Sequence, residues 1–284
     1  MKTLKISIIF FLIAIQGTAQ SNNFNQVEDS IQSLFAKIIL TKNDDEKLNY
    51  NKQIENNLAQ ALSKKSSYEY PFSKLQYVSK LASDDGKVRI FTWNIPFNDG
   101  TFQYFGFIQL KAKNNILLVK LIDKSIEIEK PQQSVLNSTN WYGTLYYKIL
   151  TNTYKNKTYY TLLGWDGNDN FTNKKIIELL TIKRKKPQFG AAVFKMKNKT
   201  QTRVIFEYAK QAKMMLSFDE KLQLIVFDHL APSLKKFEDQ YMYYGPDLSQ
   251  DGFVFIDGSW VLKENIDLRN ENDKTDKKPI KTSF

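Results

Sequence analysis

Cysteine is absent from all 284 residues. That excludes disulfides, zinc-thiolate sites and thiol nucleophiles, and leaves stability to the core alone. Histidine occurs once, as His229 at the end of the apolar run LIVFDHLAP. A Ser-His-Asp site would need that ring exposed and oriented by a carboxylate. The neighbouring Asp228 is badly placed for this, because adjacent side chains on a strand point to opposite faces. No G-x-S-x-G elbow, Walker loop, dinucleotide fingerprint or RNA-binding signature is present, so nucleotide chemistry and specific nucleic-acid recognition have no basis. Glycine is sparse, at 11 residues, while aromatics reach 14%. Such a chain has enough apolar surface to offset its ordering entropy, which excludes disorder as its general state.

Long apolar runs are also missing, with one exception at the start. Lys2 and Lys5 precede the apolar stretch Ile6 to Ile15, and the small residues Gly17 and Ala19 follow. This predicts a secretory signal peptide over 1–19. The stretch is far shorter than the roughly 20 residues of a spanning helix. The mature chain is therefore expected to be exported, periplasmic or extracellular, without a transmembrane segment. No cysteine follows the expected cleavage point to carry a bacterial lipid anchor.

The formal net charge is +11, and much of it is local. Between Lys174 and Lys199 nine basic residues face a single acid, Glu178. Lys183, Arg184, Lys185 and Lys186 form its densest part, a candidate patch for anions such as lipopolysaccharide phosphate or an acidic glycan. The plainer reading is a solvated hairpin tip.

Apolar periodicity divides the remainder. Val27, Ile31, Leu34, Phe35 and Ile38 make one helical stripe. Ile54, Leu58, Ala61 and Leu62 make a second, with Asn43, Asp44 and Asp45 as caps, so 20–74 is expected to be helical. From 75 to 264 short runs rich in Val, Ile, Phe, Tyr and Thr alternate with polar clusters, which predicts thirteen strands. The connections are too short for crossover helices, so the fold is expected to be mainly β, an antiparallel meander forming a sandwich, open barrel or propeller-like body. Asp85-Gly86, Asp99-Gly100 and Asp257-Gly258 fit type I′ hairpin turns. The segment 265–284 reads as a polar tail.

Two Asx-rich stretches carry the candidate metal chemistry. In DLSQDGFVFIDG, Asp247, Ser249 and Asp251 alternate before Gly252, as at the start of a calcium loop. The twelfth position is Gly258, so the bidentate glutamate of an EF-hand is missing. In WDGNDNF, Asp166, Asn168 and Asn170 alternate in the same way. Calcium on a β scaffold is one reading, and ordinary Asx turns are the other. Trp165 precedes one stretch and Tyr243 and Tyr244 the other; together with Trp260 they are candidate platforms for a sugar ring, in a cleft that both loops would share. Aromatic filling of a β core is the alternative. Asp166 or Asp169, paired with Asp247 or Asp251, would be the carboxylates of a glycosidase.

The ending TAQS of the signal, the segment LLGWDGNDNFTNKKIIELLTI and the ending YYGPDLSQDGFVFIDGSWVL resemble a group of secreted Bacteroidota proteins without an established activity. The resemblance implies export and a shared fold and carries no site residue with it. The expected function is a non-enzymatic β-rich module binding a glycan or a cell-envelope partner. Its rivals are a polysaccharide hydrolase using loop carboxylates and an envelope assembly factor docking through the Lys-rich hairpin.

Overall fold

The computed structural model describes residues 23–113 and 115–266. The expected signal peptide, and the expected tail beyond its first two residues, lie outside the described residues. Two helices lead, α1 (23–40) and α2 (Asp44–Leu62). Asn43 caps α2: its side-chain oxygen accepts from the amides of Asp45 and Glu46, satisfying donors that no helical carbonyl can reach. Both apolar stripes are buried, Ile31, Leu34, Phe35 and Ile38 on α1 and Ile54, Leu58, Ala61 and Leu62 on α2.

Sixteen strands follow among the described residues, in three sheets. The first sheet is the meander β1 (Ser79–Ala82), β2 (Val88–Pro96), β3 (Phe102–Ala112) and β4 (Asn115–Ile122). The middle sheet has the order β5-β9-β8-β7-β6, from β5 (Leu136–Asn137), β6 (Leu145–Tyr154), β7 (Lys157–Asp166), β8 (Thr172–Lys183) and β9 (Lys186–Phe189). β10 (Phe194–Lys195) and β11 (Thr200–Gln201) leave it for the outer sheet, and β12 (Arg203–Ala209) returns to pair with β8. The outer sheet is completed by β13 (Leu216–Asp219), β14 (Leu224–Pro232), β15 (Tyr244–Ile256) and β16 (Ser259–Lys263), in the order β11-β10-β16-β15-β14-β13.

Strand alternation explains how these sheets stack. On β2 and β3, Phe91, Trp93, Phe105 and Phe107 face the helices, while Val88, Ile90, Ile108 and Leu110 face the middle sheet. On β7 and β8, Leu162, Ile176 and Leu180 meet the first sheet, and Leu163 and Ile177 meet Phe194, Phe253 and Trp260 of the outer one. The layers are therefore helix, sheet, sheet, sheet. Because the middle sheet is covered on both faces, β8 reads as the nearly unbroken apolar run IIELL, and each large side chain it buries contributes about 1.5–3 kcal/mol.

Glu178 interrupts that run. It is fully buried, as is Arg203 directly opposite on β12. Arg203 Nε donates to Glu178 Oε2 at 2.7 Å, and Nη2 lies 2.6 Å from the same oxygen. Tyr146 OH donates to the other carboxylate oxygen and accepts from Trp141 Nε1 at 2.8 Å. A charge pair this deep persists only when its remaining lone pairs are also satisfied.

Pairing is antiparallel as expected, with two parallel exceptions: β10 with β16 and the isolated bridge Asp123–Trp141. The turns differ more from expectation. Asp257 and Gly258 both have positive φ, 49° and 75°, as a type I′ turn requires. At Asp85-Gly86 and Asp99-Gly100 only the glycine is positive, so these are not type I′ turns. Instead, the middle sheet turns through Lys155-Asn156 (45° and 61°) and Arg184-Lys185 (50° and 65°).

Candidate functional site

The register fixes which residues can meet. β2 and β3 pair from Val88–Leu110 to Pro96–Phe102, and β7 and β8 from Tyr160–Leu180 to Asp166–Lys174. The seam between the first and middle sheets thus has two ends. At the end carrying Phe102 and Asp166 it opens into a cleft of about 630 Å³, lined among others by Phe102, Tyr104, Asp123, Tyr142, Asp166 and Lys174.

Asp166 is the centre of this cleft. Its Oδ1 accepts from Tyr104 OH and from the Asn168 amide, both at 2.8 Å. Tyr104 OH in turn accepts from the Gly167 amide at 2.7 Å, so the carboxylate is fixed from two sheets. Gly167 permits the approach: a Cβ there would sit 2.3 Å from the Phe102 ring. Asp166 Oδ2 has no protein partner among the described residues. Asp166 is 7% exposed, and burial raises its pKa against the lowering influence of the Asn168 amide, Lys174 and Tyr104. Burial also raises the Tyr104 and Tyr142 phenols, with Asp166 adding to both. All three groups are therefore held in their protonation states by burial at the cleft wall.

Of the other carboxylates at this end, Glu127 pairs through Oε1 with Lys124 at 2.6 Å, and Asp123 and Asp169 are occupied. Asp123 Oδ2 accepts from the Tyr104 amide, and its Oδ1 from the Ser125 amide and hydroxyl and the Gly143 amide. Asp169 Oδ1 accepts from the amides of Phe171 and Thr172, and Oδ2 from Asn168 Nδ2. Lys174 Nζ donates to Asn168 Oδ1 at 2.7 Å. Ile126, fully solvent-exposed, overhangs the mouth.

The predicted metal ligands diverge. Asn168 presents its oxygen to the Lys174 ammonium, which excludes a cation from that place, and Asn170 Nδ2 donates across the seam to Asp99 O. Asp247, Ser249 and Asp251 lie within β15, not in a loop. Asp247 Oδ1 accepts from the Ser249 amide and hydroxyl, which also lowers its pKa. Asp251 Oδ2 lies 2.8 Å from His229 Nδ1, and its Oδ1 accepts from the Asn265 amide. Among the described residues no three His, Asp or Glu side chains converge as a metal site would require. Asp247 and Asp166 each accept instead from the amide two residues on, the hydrogen bond of an Asx turn.

The predicted platforms separate as well. Trp260 is fully buried and donates Nε1 to Thr161 Oγ1, so it is a core residue. Trp165 stands edge-on behind Phe102, 5.7 Å between centroids, and does not line the cleft. Tyr243 stacks on Phe237 at 4.0 Å, and Tyr244 OH accepts from the Asp239 amide. No hydrogen bond or ion pair among the described residues joins the two Asx stretches, and the cleft at Asp166 is lined by its own loop, β3 and residues 123–127, with no residue of 247–251. Lys183, Arg184, Lys185 and Lys186 do form a hairpin tip, at the opposite end of the seam. His229 is oriented, though by Asp251 across the strand pair and not by Asp228. Its pKa is raised chiefly by that hydrogen bond. No nucleophile is bonded to the ring among the described residues.

Tyr104, Tyr142 and Lys174 escaped sequence reasoning because they come from three separate segments with no local motif. The chain matches no family model, no curated protein and no solved structure.

Proposed function

We propose that this is an exported binding module whose cleft at Asp166 holds a glycan. The observation that carries the reading is the desolvated, rigidly oriented Asp166 carboxylate with one oxygen free, set between aromatic walls. Adjacent sugar hydroxyls donate well to such an oxygen, and the ring's apolar face suits Phe102, Tyr104 and Ile126. A glycosidase needs a second working carboxylate. Asp123 and Asp169 spend their oxygens on backbone amides and neighbouring side chains, and Glu127, the remaining carboxylate of the lining, is paired with Lys124 at the exposed mouth, which favours binding over turnover.

Titration of the full mature chain with an array of neutral oligosaccharides tests this. Asp166→Asn should weaken the bound sugar at least tenfold, in keeping with about 1.5–3 kcal/mol for a hydrogen bond to a charged group. Release of reducing ends by the unaltered protein, lost in Asp166→Asn, would replace the binding module with a hydrolase using Asp166 as its acid.

A further inference from the structure

The other end of the same seam also opens, into a groove of about 620 Å³. Its floor is apolar: Val88, Leu110, Leu117, Tyr160 and Ile182. Its rim carries Lys87, Lys111, Lys113 and Lys185. A second hollow of about 740 Å³ shares Lys87, Tyr160 and Ile182 with it and adds Lys157 and Lys183. The size lies within the roughly 300–1,000 Å³ of small-molecule sites.

The fold explains only part of this composition: Val88, Leu110 and Tyr160 close the core between the two sheets, with Ile182 packed against them. Lys87 and Lys111 reach Asp85 and Glu69, but Lys113, Lys157, Lys183 and Lys185 have no ion pair among the described residues. Leu117 projects from β4 with 39% of its surface exposed. The hairpin tip that brings Lys185 to the rim turns through two non-glycine residues at positive φ, a conformation disfavoured for both. A free inorganic anion would leave the apolar floor uncovered, and a neutral hydrocarbon would leave the unpaired ammonium groups unused.

We propose that this groove binds a single-chain amphiphile with an anionic head, a long-chain carboxylate. The chain lies along Val88, Leu110, Leu117 and Ile182, and the head sits between Lys113 and Lys185. Charge complementarity selects the head, and the extended apolar floor selects the tail.

Calorimetric titration of the mature protein with dodecanoate, held below its micelle-forming concentration, reads the site directly. Dodecanoate should bind, dodecanol at least tenfold more weakly, and butanoate not measurably, because each buried CH₂ is worth about 0.8 kcal/mol, or roughly a fourfold change in affinity. Lys113→Glu with Lys185→Glu should cost dodecanoate at least tenfold and leave dodecanol unchanged. Leu117→Asp, at a half-exposed position that leaves the core intact, should abolish both. Absence of dodecanoate binding, equal affinity for dodecanol, or binding indifferent to both sets of substitutions would each overturn the proposal. Retained oligosaccharide binding in these variants keeps the result separate from the cleft at Asp166.

Discussion

At one end of the seam between the first and middle sheets, the turns and strand ends present Asp99, Asp123, Asp166 and Asp169. At the other end, the same strands and their hairpins present Lys87, Lys111, Lys157, Lys183 and Lys185. Between the two ends the sheets bury Ile90, Ile108, Leu162 and Ile176, interrupted by the Glu178–Arg203 pair. The lesson is that a covered β-strand separates its termini chemically. β2 spans Val88–Pro96, roughly 26 Å at ~3.3 Å per residue, about three times the ~8 Å screening length at physiological salt. The exposed charges of one end are therefore screened from those of the other, so one end can be rich in carboxylates, with Lys124 and Lys174 among them, while the other is basic and apolar.

The most damaging way to break that separation is from the middle. Arg203→Met should cost about 3–5 kcal/mol in urea unfolding, because it strands the Glu178 carboxylate in the core. Adding Glu178→Leu should recover part of that loss, and the coupling in the cycle measures how far the pair depends on mutual compensation. Loss of ligand binding at both ends together would show that they share this clamp.

A smaller effect distinguishes the acidic end. The folded-state pKa of Asp166 lies above its ordinary value. Folding therefore takes up a proton in that window, and Asp166 contributes less stability as pH rises through it, levelling off above the raised pKa. Asp166→Asn should consequently melt higher than the unaltered protein at neutral pH, with the advantage shrinking as pH falls below the carboxylate range. Thermal melts across pH 3 to 8 check this. A variant that gains stability while losing sugar marks a position kept for binding and not for folding.

The gentlest test addresses the basic end. Lys185→Gly relieves a positive φ of 65° and should raise stability by ~0.5–1 kcal/mol, the relieved left-handed strain less glycine's added chain entropy, read as an increased urea midpoint, while weakening dodecanoate. An unchanged midpoint would mean that the hairpin tip carries no strain.

Most of the architecture was legible because alternation and helical spacing are local. The helices, the strand-rich body and the Asp257-Gly258 turn all followed from it. β9 was missed because Pro187 and the flanking charges hide its alternation, although Pro187 tolerates its place in a four-residue strand near the sheet's margin. The first part of β15, before the strand expected over Gly252 to Ile256, was read as a loop because Asp247, Ser249 and Gly252 are turn-forming residues; the structure accommodates them with an irregularity opposite Asp228–Leu230 and a positive φ at Leu248. The cleft was half legible. Asp166 drew attention through its Asx spacing, whereas Tyr104, Tyr142 and Lys174 reach it only through register, which no single stretch encodes. Trp260 misled for the complementary reason: an aromatic beside a turn fills a core as readily as it serves a ligand.

The parallel pairing of β10 with β16 sets the order in which this chain can assemble. Helices and first sheet join neighbours in sequence and can close as soon as they are made. Phe194, by contrast, lacks its strand partner until the distant Trp260 is in place, and loop closure over that separation adds to the cost of the last step. The outer layer should thus be the late, rate-limiting part of folding, and the time before it forms is when the apolar face of the middle sheet is exposed to other chains.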